Sequence, residues 1–493
     1  MNRLGHSGHH DDLHVLPTIE ELTDAVVESA STIEHKTFYQ DKNAGRRKPA
    51  ELWEAEKKVY DAETLMERTR LARIRNRLRR KWNAQRISLE SNFQSKNRSV
   101  RVPKSIECDG EHTADRKRWA TSLEQHCRNK YHDDTITMDM QLDMVENMRL
   151  EAVRAESEGR HPPRMTDAVI LQAAARMSSG RAAGGCTDIV AEMIKSLPWS
   201  TKLMIGEMFR LRCNGGHTSN TSWTRIVICL LAKVSSPKKF SDYRGVGLLD
   251  VLSKWYMTCI VMIAKTCPEP TSWRRLNYYG NEGLGATTVL GILQLTVAKS
   301  REWHEKYPIL IFEGDIKTAY DKLKQTTAAN GMLKGGVHPK PVAAMMSECV
   351  GLTATCRFEG VETCPFPWNA CIRQGSVEAG IQWEKAAKMI LMDVVPIWEE
   401  MQWGLRLDNI ILTHIMWVDG LWLFATDKVM LFKMVESITQ MFQYHGLPWK
   451  PSSLGYMTTH EEGGGDMYIN QDDEQMLVKY VQDEDESIGC NYR

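Results

Sequence analysis

The chain has 493 residues, 42% of them hydrophobic, enough to bury one large core or several smaller ones. Lysine plus arginine (63) balances aspartate plus glutamate (63), so global charge does not single out a nucleic-acid partner. The twelve cysteines form no C-x-x-C pair or zinc-knuckle spacing, which argues for reduced, mostly buried thiols in an intracellular protein and against a disulfide scaffold.

Residues 1–48 read as a polar, partly disordered N-terminus with a helix. Met1–His14 is polar and His-rich and carries no signal peptide. Residues 49–164 read as a helical linker region. Its first helix, Pro49–Arg86, begins acidic and ends in Arg68, Arg70, Arg73, Arg75, Arg77, Arg79, Arg80, Lys81 and Arg86. That face is either simply solvated or a phosphate-backbone contact that gains affinity by counterion release. On the second reading Arg73, Arg77, Arg80 and Lys81 bind nucleic acid. A polar linker, Ser95–Ile106, and helices over Ala114–Lys130 and Thr135–Glu158 follow, and Pro162-Pro163 closes the region.

Residues 165–457 alternate strands and helices. An amphipathic helix over Met165–Met177 leads into a Gly-rich turn through Gly185 and a helix over Ile189–Leu197. Thr224–Lys233 is a strand ending on Lys233, and Tyr243–Leu249 carries Arg244. If those two cations face a cleft, they suit a triphosphate. Trp255–Ala264 is too short to span a bilayer and reads as a core helix, so no membrane partner is expected. Pro308–Leu323 then gives an apolar strand ending on Asp315, before a helical pattern at Ala319-Tyr320-Asp321. A carboxylate at a strand end either caps the next helix or holds a cation for phosphoryl-transfer chemistry.

Thr353–Glu359 is another strand, and Arg373-Gln374-Gly375-Ser376 opens a helix running through Met392. Asn409–Trp417 and Leu421–Ala425 flank Val418-Asp419-Gly420, a hairpin signal that predicts a type I′ turn. A hairpin tip is also a rigid place to present Asp419 beside Asp315. Thr426 or Asp427 caps an amphipathic helix through Leu431, Met434, Ile438 and Met441 that stops at Gly446. Residues 458–493 read as a solvated acidic tail.

The order of these pieces resembles the reverse-transcriptase domain of non-LTR (LINE-type) retrotransposons, from about Met165 to Met457. Asp315 with Ala319-Tyr320-Asp321 looks like the D-x-x-x-A-F/Y-D motif, and Trp417-Val418-Asp419-Gly420 stands where that family has Y/F-A-D-D. Arg373-Gln374-Gly375-Ser376 looks like R-Q-G-C/D, Tyr243–Leu249 like Y-R-P-I-S-L-L, Leu231-Ala232-Lys233 like I-P-K, and Arg181–Gly184 like K-A-P-G. The resemblance implies an α+β fold: right-hand polymerase fingers and palm, an antiparallel palm sheet, a helical N-terminal region, and a thumb absent or truncated.

It implies an RNA-directed DNA polymerase acting on an RNA template, a DNA primer and deoxynucleotide triphosphates. Asp315 and Asp419 would hold two Mg²⁺ ions as the catalytic pair. Lys233, Arg244, Arg373, Gln374 and Gly375 would bind the nucleotide, and Tyr320 would exclude a ribose 2′-hydroxyl. The departures are Gly420 for the second Asp of the box, Gly245 for Pro, and Ser453 for the lysine of G-L-x-I-N-x-x-K. Loss of one active-site charge commonly costs ~10²–10³ in rate, so the expectation is a fragment or decayed copy with reduced or lost catalysis. The alternative is a non-catalytic nucleic-acid-binding protein derived from a retroelement.

Overall fold

The computed structural model describes residues 103–180, 184–185, 187, 189–215, 223–234, 236–278, 286–303, 308–407, 410–459, 465–472 and 474–481. The Arg-rich helix, with Arg73, Arg77, Arg80 and Lys81, lies outside the described residues. So do Arg181–Ala183 and the last residues of the acidic tail.

Fifteen strands are described. A hairpin, β1 (Ile106–Cys108) and β2 (Glu111–Thr113), is followed by β3 (Arg225–Ala232), β4 (Tyr243–Leu248) and β5 (Leu310–Asp315). Next come β6 (Thr353–Phe358), β7 (Val361–Glu362), β8 (Phe366–Pro367), β9 (Leu405–Leu407) and β10 (Ile410–Leu412). β11 (His414–Trp417), β12 (Gly420–Ala425), β13 (Gly455–Thr458), β14 (Met467–Gln471) and β15 (Glu474–Tyr480) complete the set.

The strand that positions the site is β5. Its run Ile309–Phe312 is buried, as a strand covered on both faces must be. It lies inside a six-stranded sheet of order β11-β12-β5-β13-β15-β14, antiparallel except where β13 meets β15. Helix Lys428–Tyr444 buries Leu431, Met434, Val435, Ile438 and Phe442, a 3.6-residue stripe, in the same core as β5. Of the two residues that could cap it, Asp427 does, accepting the Met430 N–H at 2.7 Å.

A second sheet places β4, β3, β6 and β7 side by side, with β8 also on β6. Helix Arg116–Tyr131 buries Trp119, Leu123, Cys127 and Tyr131, one residue per turn, in the core it shares with this sheet. Helices Met138–Ser157, Asp167–Arg176, Trp199–Cys213 and Val251–Ala264 share a third core with Gln325–Lys334 and Pro339–Ser347. No helix among the described residues is long and apolar enough to cross a membrane.

Three expectations change. Residues 373–378 form a turn, and the helix begins at Ala379, because the chain must first pass Gly375 at φ +101°. The stretch read as a polar linker ends in β1, which pairs with β2 through Asp109-Gly110. Much of 458–493 is not a solvated tail, since β14 and β15 belong to the main sheet. Met467, Ile469, Met476 and Val478 alternate inward there, a period-2 pattern hidden by the acidic residues between them.

Candidate active site

The site forms where β5 ends against the β11–β12 turn. The register pairs Asp315 with Gly420 and Trp417 with Gly420, so the two turn residues are Val418 and Asp419. This differs from the predicted Asp-Gly turn: only Val418 has positive φ, at +55°, and Gly420 is already in the strand. A β-branched residue in the left-handed region is strained and persists only where its surroundings hold it. Here the Trp383 indole N–H donates to the Val418 carbonyl at 2.7 Å and the Ile316 N–H to the Asp419 carbonyl at 3.0 Å.

Asp315 is fixed from the opposite side. Its N–H donates to Ser453 Oγ at 2.9 Å, and its carbonyl accepts the Lys450 N–H, also at 2.9 Å. The Lys450 ammonium lies 3.4 Å from Asp315 Oδ2. Asp419 is pushed above the usual carboxylate range, first by burial and also by the neighbouring Asp315 charge, while Arg244 and Lys450 pull it down. The two acids are therefore electrostatically coupled, and a cation between them would relieve both the burial penalty and the repulsion. Asp321 faces elsewhere: it is buried, and its Oδ2 accepts the Lys130 ammonium at 2.8 Å.

The second sheet supplies cations. Of the two cations that pull the Asp419 carboxyl down, Arg244 on β4 acts more strongly than Lys450. Lys233, just past β3, donates from Nζ to the Ser241 carbonyl at 3.1 Å. Its ammonium is held down by burial and then by Lys130, with Asp321 opposing. The Gln374-Gly375 turn docks on β4, where the Gly247 N–H donates to the Gln374 carbonyl at 3.0 Å. A Cβ at Gly375 would come within 2.9 Å of the Gly247 carbonyl oxygen, so only glycine allows this approach. Gln374 Oε1 and Ser376 Oγ are buried without a hydrogen-bond partner.

Tyr320 lines a cleft of about 470 Å³ together with Tyr278, Val377, Gly380, Glu384 and Val418. Its ring lies 5.9 Å from Trp383, and burial followed by the Asp419 charge pushes its hydroxyl pKa up. Arg373 does not line the cleft. It is 1% exposed, donates from Nε to Glu378 Oε1 at 2.9 Å and reaches the Glu348 carbonyl at 3.3 Å. Its position is that of an internal tie, not a nucleotide ligand, because a buried guanidinium needs a buried acid more than an exposed one needs phosphate.

The departures are filled by neighbours. A Cβ at Gly420 would sit 3.5 Å from Asp315 Oδ1 and 3.2 Å from the Trp422 ring. At Gly245 it would collide with the hydroxyl of Tyr131 from helix Arg116–Tyr131. Sequence reasoning assigned no role to Lys130, Tyr131, Trp383 or Lys450, whose contacts cross long stretches of chain and leave no local signal. As to metal, Asp315 and Asp419 are hard oxygen donors of the kind divalent cations take. Among the described residues no group of three or more acids, histidines or cysteines assembles to hold a metal ion.

No family model matches the chain, and no curated protein matches it. Among solved structures, the chain is similar to apo telomerase from Candida tropicalis truncated from the C-terminal domain. That match has 13% identity and a TM-score of 0.36, and covers 50% of this chain and 52% of the other. Telomerase from Candida tropicalis in complex with the TWJ fragment of telomeric RNA matches at 12% identity and a TM-score of 0.37, covering 50% and 42%. The chain thus spans about half the length of each.

Proposed function

We propose that this chain is a reverse-transcriptase-like domain of non-LTR type, descended from an RNA-directed DNA polymerase, with weakened nucleotidyl transfer. The observation that carries the reading is the meeting of Asp315, at a strand end, with Asp419, at the adjacent hairpin tip. Arg244 acts on Asp419 from a different sheet. On this reading the six-stranded sheet is the palm and the β3–β4 sheet belongs to the fingers.

The chain's own groups take these parts. Arg244 and Lys233 grip the triphosphate, the Gln374-Gly375 turn forms the nucleotide pocket, and Tyr320 stands at the sugar edge. Asp315 and Asp419 hold a divalent cation, Mg²⁺, which when bound supplies Lewis-acid activation of a primer 3′-hydroxyl. RNA template, DNA primer and deoxynucleotide triphosphates are the partners. The test is extension of a primed RNA template with Mg²⁺: wild type should extend slowly and Asp315→Ala not at all. Extension that is indifferent to Asp315 would refute the reading.

The Gly420 departure and the Lys450 contact favour a second reading, a nucleic-acid-binding protein that no longer polymerises. It predicts salt-sensitive binding that needs no Mg²⁺, survives Asp315→Ala and weakens when Arg73, Arg77 and Arg80 are replaced.

A further inference from the structure

We infer that the Asp315–Asp419 pair accepts one divalent cation and not two, and that the Lys450 ammonium supplies the positive charge a second cation would bring. The inference rests on the polymerase reading for what the site is, and on nothing about its activity.

Lys450 is anchored where it acts. Its own N–H donates to the Asp315 carbonyl at 2.9 Å, and its ammonium lies 3.4 Å from Asp315 Oδ2. The ammonium therefore neutralises one oxygen that a pair of cations would need. Gly420 faces Asp315 directly in the register, and a Cβ there would lie 3.5 Å from the other oxygen, Oδ1. That position is where a third carboxylate would meet Asp315, with the Trp422 ring 3.2 Å from the same point, and glycine leaves it without one.

Asp321 is turned toward Lys130, whose ammonium its Oδ2 accepts at 2.8 Å, while its Oδ1 is buried without a hydrogen-bond partner. Before any substrate phosphate arrives, the two carboxylates already face two cations, the Lys450 ammonium and the Arg244 guanidinium, which leaves no net negative charge. One dication makes the site positive, and a second would be repelled with nothing between them.

The experiment is Mn²⁺ titration of the full chain, followed by electron paramagnetic resonance, which counts bound ions without requiring turnover. Wild type should bind one Mn²⁺ at this site, and Asp419→Asn should lose it. Lys450→Met should still bind one ion but about fivefold more tightly, the upper worth of a partly exposed ion pair. Gly420→Asp should raise the count to two.

Two ions in wild type would overturn the inference, as would unchanged affinity in Lys450→Met or no binding by any of these chains. Lys450 is half exposed, so its variant carries the test if Gly420→Asp fails to fold. A failure of primer extension would sink the polymerase reading yet leave the ion count readable, which keeps the two failures apart.

Discussion

Gly245→Ala should destabilise the protein, and Tyr131→Phe should relieve much of the damage. Gly245 sits in β4 opposite Leu230, and an added Cβ would run into the Tyr131 hydroxyl. It would also come within 3.2 Å of Ile228 Cγ2 and 3.3 Å of Tyr131 Cζ. Tyr131 cannot step aside: it is 1% exposed, its ring lies 4.4 Å from Trp368, and its carbonyl accepts the N–H groups of Asn369 and Ala370 at 3.1 Å. Overpacking of this kind costs roughly 1–3 kcal/mol. Removing glycine from a strand interior returns roughly 0.5–1 kcal/mol. The expected net loss is therefore roughly 0–2.5 kcal/mol, centred a little above 1. Denaturant midpoints of wild type, both single variants and the double variant give the coupling energy, which should be about 1 kcal/mol or more and of opposite sign to the loss. Strictly additive effects of the two substitutions would refute the claim that the Tyr131 hydroxyl occupies the space beside Gly245.

His414 is fully buried and its pKa is lowered to about 3 by burial, so it is neutral when folded, while the unfolded chain protonates near 6.5. Its contribution is complete above about pH 6.5 and is lost as pH falls toward 3, by up to about 1.4 kcal/mol per pH unit. The midpoint of wild type should fall more steeply between pH 7 and 5 than that of His414→Gln, and equal slopes would count against it. Arg373→Met should cost about 3–5 kcal/mol by stranding the buried Glu378. Adding Glu378→Gln should recover part of that loss. A variant that binds nucleotide poorly at full stability would instead restore Arg373 as a ligand.

The strands that carry the two acids were legible because each is a short apolar run bounded by turn residues. Ile309–Phe312 before Asp315 and Leu421–Ala425 after Asp419 both formed where expected. The turn between β11 and β12 was misplaced by one residue. The local preference of Asp-Gly yields there to ladder pairing, which needs Gly420 opposite Asp315 and is helped by the Trp383 clamp on Val418. Arg373 was misread for a related reason: a motif gives residue type and order, whereas burial against Glu378 and Glu348 depends on the helical layer behind it. Lys450 was visible as a residue but not as a neighbour, because its contact with Asp315 exists only once β13 has paired with β5.

The interior place of β5 has a consequence for synthesis. Its flanks are covered only by β12, beginning at Gly420, and β13, beginning at Gly455, both far downstream. Leu310–Phe312 therefore leaves the ribosome as a bare, sticky ribbon and waits for much of the remaining chain before either side is satisfied. A premature stop between these strands would release a polypeptide with that ribbon half-capped, primed to clump and not to fold.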